Sequence, residues 1–372
     1  MNLNIVIFGL SVTSSWGNGH ATTYRALIKA LHARGHTVTF MERDVPWYRE
    51  HRDLATAPFC RIELYESLPD VSRRFSHLVT EADMVIVGSY VPDGAVLADW
   101  VTMHARGVTA FYDIDTPVTL ARLEQRDIDY LLPALIPRFD LYLSFTGGPV
   151  LELIEQRYGS PRARALYCGV DPQDHAPVET EKKWCLGYLG TYSADRQPML
   201  ERLLIEPARR LPNHHFVVAG PQYPSDIRWP DNVERIQHLS PDRHAAFFSS
   251  QRFTLNVTRR DMTAAGYSPS VRLFEAAACS VPIISDRWIG LDTFLTPGDE
   301  ILVADNTEQV VSFLTTVSEP KRQKIALSAR KRVLQSHTAE QRAKTLEECY
   351  TEAARSRGRI DAATCSEMGA VA

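Results

Sequence analysis

The sequence predicts an α/β protein built from two Rossmann-like, doubly wound domains that face a cleft. Its 372 residues exceed the usual length of one domain. Short apolar runs alternate with helical patterns through the first half, and the same alternation begins again after a polar, proline-bearing stretch. Continuous apolar strands separated by helices are typical of parallel sheets that are covered on both faces.

The first half contains a regular series of strands and helices. Residues 3–10, "LNIVIFGL", predict a strand, and residues 21–35 predict a helix that Gly35 ends. Further strands are predicted at 36–42, 82–89, 107–115 and 140–146, and further helices at 93–106 and 149–159.

The alternation stops at about 168–182 and then resumes with strands predicted at 184–190, 214–220, 252–258 and 281–286. We therefore predict an N-terminal domain over 1–170, a linker over 171–183, a second domain over 184–336, a helix over 337–358 that packs back on the first domain, and a tail over 359–372.

The composition argues against several functional classes. A net charge of −4 disfavours a broad nucleic-acid surface, and no apolar run approaches the roughly 20 residues that span a bilayer. The N-terminal residues carry no basic leader, so we expect a cytoplasmic protein without a secretory signal. The six cysteines include no C-x-x-C pair, which predicts reduced thiols and neither disulfides nor a zinc site. Monomer and homodimer are both left open.

The most informative stretch of the second half is "GYSPSVRLFEAAACSVPIISD", residues 266–286. It predicts a helix with Pro269 in its first turn and with Ser268 or Ser270 as its cap. Free backbone N–H groups at a helix start, with Arg272 beside them, form a binding site for a diphosphate.

Glu275 lies one turn further along this helix, where it is placed to accept hydrogen bonds from a ribose diol; a solvated glutamate on a capped helix is the alternative. "SVRLFEAAACSVPIISD", the following "GLDTFLTPGDEILVADN" and the earlier "GYLGTYSADRQPMLERLL" resemble the retaining-type GT-B glycosyltransferases. The sequence is most similar to their CgeB-like, spore-maturation branch. The resemblance covers most of 184–345, and the first domain only by its architecture.

This resemblance implies that the second domain binds a nucleotide-diphosphate sugar. Glu275 matches the glutamate that binds the ribose in that family. The other donor-binding residues that the resemblance implies are Ser270 and Arg272 at the helix start, and Gly190, Thr191, Tyr192 and Arg196 in the loop after the first strand of the domain. Ser268 and Val271 belong to the same helix start, and we predict that they also line the donor site. Two positions depart from the family pattern: Tyr267 stands where many members have an acid, and Ser280 stands where glycine is usual.

Two further loops of the second domain follow predicted strands. Gly220 and Pro221 either shape the nucleobase pocket or form a plain turn. Arg259 or Arg260 either neutralises phosphate charge or is simply solvated.

The first domain has the sequence "GNGH" between its first strand and helix. The glycine spacing does not fit the dinucleotide fingerprint, and no G-K-[ST] follows as a P-loop requires. We interpret Gly17 and Gly19 as one wall of the donor-sugar cleft, where the backbone approaches the sugar. His20 is the predicted general base, because the helix start lowers its pKa; a cap or packing residue is the alternative.

Asp113 and Asp115 follow a strand of the first domain. Two residues apart on an extended segment, their side chains are expected to share a face. One of them, with Asp113 preferred, is predicted to orient or deprotonate an acceptor hydroxyl; turn formation is the alternative.

Together these features predict a metal-independent glycosyltransferase that moves a sugar from a nucleotide-diphosphate sugar to a hydroxyl acceptor. Basic side chains and a helix N-terminus are available for the leaving diphosphate, so no metal and no other cofactor is predicted. A degenerate protein that binds nucleotide or glycan without turnover and a nucleotide-sugar 2-epimerase are the alternatives. The sugar, the nucleobase, the acceptor and the stereochemical outcome stay open.

Overall fold

The structure is a computed structural model that describes residues 1–358, and it contains two compact units. The first unit combines Met1–Tyr167 with the chain from Ala339 onward, and the second unit is Cys168–Thr338. The predicted tail, 359–372, lies outside the described residues, and with it Cys365. Within residues 1–358, none of the helices is both long and apolar enough to cross a bilayer.

The stretch expected to be a linker, 171–183, is part of the second unit. Val170 forms a bridge with Thr338 immediately before it, and within it the side chain of His175 is only 4% exposed. The chain passes from the first unit to the second between Tyr167 and Cys168.

The first unit is built on a seven-stranded parallel sheet of order β3-β2-β1-β4-β5-β6-β7. Its strands are β1 (Asn4–Gly9), β2 (Thr37–Arg43), β3 (Arg61–Tyr65), β4 (Met84–Gly88), β5 (Val108–Asp113), β6 (Leu141–Ser144) and β7 (Ala163–Ala165). Its helices are α1 (Gly19–Ala33), α2 (Pro46–Arg49), α3 (Leu68–Glu81), α4 (Gly94–His104), α5 (Thr116–Gln125), α6 (Pro149–Tyr158) and α14 (Ala339–Ser356), with a 3₁₀ helix at Pro133–Arg138.

The core of this unit lies between the sheet and its helices. Strands β1, β4 and β5 are apolar and buried along nearly their whole length, as expected for a parallel sheet that is covered on both faces. Helix α14 packs beside α1. Glu347 of α14 accepts two hydrogen bonds of 2.7 Å from Arg34 and lies 2.7 Å from Nε2 of His36.

The second unit repeats the design with six parallel strands in the order β10-β9-β8-β11-β12-β13. Its strands are β8 (Trp184–Leu189), β9 (Phe216–Ala219), β10 (Val233–Ile236), β11 (Gln251–Asn256), β12 (Ile283–Ser285) and β13 (Leu302–Val303). Its helices are α7 (Gln197–Leu200), α8 (Glu206–Arg210), α9 (His244–Ser249), α10 (Arg260–Ala265), α11 (Val271–Ala278), α12 (Thr307–Thr316) and α13 (Glu319–Ser336).

The helical stretch after β8 in the second unit is irregular. A π-helical turn, Glu201–Ile205, connects α7 to α8 without a break in the helix. Pro207 is the second residue of α8, and because proline has no N–H it cannot complete the regular hydrogen-bond ladder.

The strand order changes direction once in each sheet. In the first unit the change lies between β1 and β4, and in the second unit it lies between β8 and β11. Open parallel sheets bind ligands outside the carboxyl ends of their strands at this switch point. The prediction of two doubly wound α/β domains is confirmed, and the loops after these four strands are where binding residues are to be sought.

Candidate functional site

A buried arginine stands at the switch point of the second sheet. Arg272, in the first turn of α11, is 7% exposed. Its Nε donates to the carbonyl of Leu189 at 2.5 Å, and its Nη1 donates to Oδ1 of Asn256 at 3.0 Å. Its guanidinium carbon lies 4.7 Å from the ring centre of Tyr188. These contacts fix the guanidinium between the ends of β8 and β11.

Two more arginines approach the same place. Arg196 follows the loop after β8 and donates through Nη2 to the carbonyl of Thr191 at 2.7 Å. Arg259 follows β11 and precedes α10. The Nε atoms of both side chains are buried and have no hydrogen-bond partner. Burial lowers the pKa of Arg196, and the positive charges of Arg272 and Arg259 lower it further. Positive charges gathered in this way are stabilised by an anion that binds among them.

The aspartates of this region are already hydrogen-bonded. Asp195 accepts from the backbone N–H of Arg260 at 2.9 Å. Asp286 accepts from the backbone N–H of Thr258 at 3.0 Å, and burial raises the pKa of Asp286. Asn256 and Asp286 were not among the predicted site residues. Both come at strand ends, "TLN" and "IISD", which is the one signal that pointed to them.

The start of α11 differs from its predicted form. Ser270 occupies the cap position, but its side chain makes no capping hydrogen bond, and Pro269 lies before the helix instead of in its first turn. Ser268 is 2% exposed, and Val271 is the first helical residue. The first backbone N–H groups of a helix have no partner within it, so this end can still donate to an anion beside Arg272.

Glu275 lies one turn into α11 and is 5% exposed. Its Oε1 atom is 3.6 Å from Nε2 of His175, which belongs to the segment before β8. It therefore lies on the buried side of the helix and not in an exposed, solvated position, which disfavours the alternative of a solvated glutamate.

Gly190 and Gly220 pack their backbones against each other. Gly220 has a φ of +144°, and a Cβ added to it would lie 2.0 Å from the carbonyl oxygen of Gly190. A Cβ on Gly190 would lie 2.9 Å from Nη2 of Arg272. The backbone N–H of Tyr192 donates to the carbonyl of Pro221 at 3.0 Å. The lack of a side chain at Gly220 permits this close approach of the two loops, and a role of Gly220 in a nucleobase pocket stays a prediction.

Tyr267 and Ser280, the two positions that differ from the pattern of the resembled family, have left-handed backbones. Tyr267 has a φ of +46° and donates its N–H to the carbonyl of Ile289 at 2.7 Å. Ser280 has a φ of +55° just after α11. Positive φ angles favour glycine, which gives a physical reason for the glycine that is usual at the second position.

In the first unit, the "GNGH" sequence forms the start of α1. Asn18 caps the helix by accepting from the backbone N–H of His20 at 3.0 Å. Gly17 has a φ of +60°, and neither Gly17 nor Gly19 has any atom within 4 Å of the position that a Cβ would take. The backbone here borders open space, so it is accessible to a ligand.

His20 and Asp115 lie together at the switch point of the first sheet. Nε2 of His20 is 3.7 Å from Oδ2 of Asp115, and their side chains are 12% and 30% exposed. The His20 ring packs edge-on against Tyr90, which follows β4, with a centroid distance of 5.5 Å. Nδ1 of His20 is buried and has no hydrogen-bond partner. Both side chains are partly exposed and lie close together, an arrangement in which an imidazole beside a carboxylate can accept a proton.

Asp113 does not share a face with Asp115. Strand β5 ends at Asp113, so the alternation of an extended chain does not continue to Asp115. Asp113 is fully buried and accepts from Tyr142 at 2.5 Å and from Thr119 at 2.7 Å. Burial raises its pKa to about 6. The preference for Asp113 over Asp115 as the group that meets an acceptor therefore does not fit the geometry, since Asp113 is enclosed and its oxygens are engaged.

Comparisons with known proteins agree with this architecture. Residues 196–348 match the family model described as "Glycosyl transferase-like". No curated protein matches the sequence. The structure is similar to the sucrose-phosphate synthase of Thermosynechococcus elongatus, with a TM-score of 0.70 and 15% identity over 94% of this chain and 98% of the synthase.

Two similar structures were solved with nucleotides. Anabaena HepE in complex with UDP and glucose has a TM-score of 0.67 and 12% identity over 95% of this chain and 100% of HepE. An alpha-glucosyltransferase in complex with UDP and a 13-mer DNA containing an HMU base has a TM-score of 0.68 and 12% identity over 94% of this chain and 100% of that enzyme. At such identities the similarity establishes the fold. The chain has the fold of the GT-B glycosyltransferases, and residues 196–348 match a glycosyl transferase-like family.

Proposed function

We propose that the protein is a glycosyltransferase that transfers a sugar from a nucleoside-diphosphate sugar to a hydroxyl acceptor. The observation that carries this proposal is the cluster of Arg196, Arg259 and Arg272, in which two buried Nε atoms have no partner. The cluster lies at the switch point of the second sheet and beside the start of α11. A diphosphate supplies the negative charge and the acceptor oxygens that these groups lack.

The donor in this proposal is a UDP-hexose. HepE and the alpha-glucosyltransferase, which have a similar fold, were solved with UDP, and HepE also with glucose. We assign Glu275 to the ribose hydroxyls because it lies one turn after Arg272 on the same helix. We also propose that the protein belongs to the CgeB-like branch, because the motifs within residues 184–345 resemble that branch.

The reaction breaks the bond between the anomeric carbon and the diphosphate oxygen and forms a bond from that carbon to the acceptor oxygen. The electron pair of the broken bond leaves with the diphosphate, whose charge the three guanidinium groups stabilise, so the proposed transfer needs no metal ion. The acceptor hydroxyl gives its proton to His20, and Asp115 stabilises the resulting imidazolium.

The first experiment measures UDP affinity by calorimetry, with Arg259→Gln beside the wild type. Loss of one charged hydrogen-bonding group should weaken UDP binding about 10- to 100-fold. Arg287→Gln is the matched control, because Arg287 is exposed and pairs with Asp305 outside the cluster. The control should bind UDP like the wild type.

A second measurement separates an enzyme from a binding protein. The wild type is incubated with a panel of UDP-hexoses, and release of UDP to water is followed, so that no acceptor need be known. Slow release of UDP from one donor supports the proposal. Binding of UDP with no release from any donor and no transfer to a panel of hydroxyl acceptors would favour the degenerate binding protein. If no nucleoside diphosphate binds, the site assignment is wrong.

A further inference from the structure

Three side chains of the second unit that belong to distant parts of the sequence meet in its interior. They are His175 from the segment before β8, His244 at the start of α9, and Glu275 in the middle of α11. One potential ligand atom from each lies within 4.8 Å of the other two. No spacing motif links the three, so the sequence could not predict the cluster.

The hydrogen bonding of these side chains is incomplete. His175 is 4% exposed, and both of its ring nitrogens are buried without a hydrogen-bond partner. Nδ1 of His244 is buried and unpartnered as well. Buried polar atoms are almost always satisfied in folded proteins, so three unpartnered nitrogens beside a carboxylate require an explanation.

The separation between His175 and Glu275 matches a metal site better than a hydrogen bond. Nε2 of His175 and Oε1 of Glu275 are 3.6 Å apart, whereas an N–H···O hydrogen bond spans about 2.7–3.2 Å. Two ligand atoms that each lie about 2.0–2.2 Å from a tetrahedral cation are about 3.3–3.6 Å from one another. The other two separations are no more than 4.8 Å, so the side chains would have to rotate toward a cation in order to bind it.

We propose that His175, His244 and Glu275 bind a divalent transition-metal cation of the zinc type. Two imidazoles and one carboxylate are a ligand set that zinc prefers, and a water completes the tetrahedron.

This site is separate from the diphosphate chemistry. It fixes the irregular segment that contains His175 onto α9 and α11, so its role is to stabilise the second unit. Only Glu275 takes part in both proposals. Because a carboxylate has two oxygens, one can ligate the cation while the other accepts a hydrogen bond from a ribose hydroxyl. The metal proposal does not depend on the donor proposal, since neither histidine has a part in nucleotide binding.

The test is zinc binding by the full chain after treatment with a chelator and without nucleotide. Competition with a chromophoric chelator should give one tight site, and cobalt in place of zinc should give the visible absorption of a tetrahedral complex. His175→Phe and His244→Phe should each lower the zinc affinity at least about 10- to 100-fold. Zinc should raise the melting temperature of the wild type, and this rise should be absent in both variants.

His215→Gln is the matched control, because His215 is an exposed histidine of the same unit and lies outside the cluster. Circular dichroism checks that each variant is folded, and Glu275→Gln, which keeps the side-chain volume, gives a second way to remove a ligand. Zinc affinity that is unchanged in all three ligand variants, or no tight site in the wild type, would overturn the proposal. Arg259→Gln should keep its zinc site, so a failure of the donor proposal is distinguishable from a failure of this one.

Discussion

Nη1 of Arg272 and Oδ1 of Asn256 are joined by a hydrogen bond of 3.0 Å, which ties the first turn of α11 to the end of β11. The amide of Asn256 is fixed in turn, because its Nδ2 donates to Oγ of Ser285 at 2.9 Å. Asn256 itself is fully buried. The bond orients the guanidinium, so Asn256 is a positioning residue for the proposed diphosphate site.

Replacing Asn256 with alanine should therefore weaken UDP binding without removing any positive charge. The guanidinium of Arg272 loses one of its two fixed acceptors, and we expect a loss of about tenfold in affinity, which calorimetry measures. Asn306→Ser is the control, because Asn306 caps α12 and serine is also a good cap. An unchanged affinity in Asn256→Ala would mean that Leu189 alone orients the guanidinium.

The contact between His20 and Asp115 leads to a prediction about turnover. His20→Asn and Asp115→Asn should each lower the rate of transfer, by about 10² to 10⁴-fold for the base itself, and leave UDP affinity nearly unchanged. Once His20 is removed, Asp115 has no imidazolium to stabilise. The double variant should thus be little slower than His20→Asn alone.

Asp127→Asn is the control for that pair, because Asp127 is an exposed aspartate of the same unit. It should keep the wild-type rate. If the fold losses in transfer rate of the two single variants multiply in the double variant, His20 and Asp115 act independently, which would contradict a coupled pair. A parallel loss of UDP affinity would indicate damage to the fold instead.

The fold was predictable because its signals are local. The apolar runs that became β1, β4, β5, β8 and β11 are continuous in the sequence, and burial on both faces of a parallel sheet demands such runs. Strand β3 and helix α3 were not predicted. Strand β3 is an edge strand with little buried surface, so its sequence carries less apolar pattern.

The candidate sites were predictable only in part, because tertiary contacts decide them. The sequence singled out Arg272 and His20 from their places at helix starts. It preferred Asp113 to Asp115, since nothing local shows that β5 ends between them and that Tyr142 and Thr119 enclose the first carboxylate.

The burial of Asp113 gives the protein a pH-dependent stability. Its pKa is raised from 3.8 to about 6, so between these values the folded state holds a proton that the unfolded state has lost. Stability from this group is therefore present at low pH and is lost as pH rises through 6. The free energy of unfolding of the wild type and of Asp113→Asn is to be measured in urea at pH 4 and at pH 7. The decrease between these pH values should be smaller in Asp113→Asn, and the two decreases should differ by up to about 3 kcal/mol. Equal changes with pH in both proteins would contradict the raised pKa.

Glu347 should change the stability with pH in the opposite direction to Asp113, so that its contribution is lost at low pH. Its hydrogen bonds from Arg34, and a further one from His36, hold its pKa at about 2, below the ordinary 4.5. The folded state then binds fewer protons than the unfolded state between these values. The stabilisation is fully present above pH 4.5 and is lost as pH falls toward 2. The urea midpoint of Glu347→Gln should thus be lower than that of the wild type at pH 6, and the two should converge toward pH 2.5.

Glu340 provides the control for this prediction, because it lies on the same helix and near the same arginine. It is 3.9 Å from Arg34 and its side chain is 62% exposed, whereas Glu347 is 18% exposed and also contacts His36. Exposed ion pairs contribute little to the free energy of unfolding, so the stability of Glu340→Gln should depend on pH as that of the wild type does. A similar loss in both variants would mean that general charge balance on α14, and not the specific contacts of Glu347, holds the helix against α1.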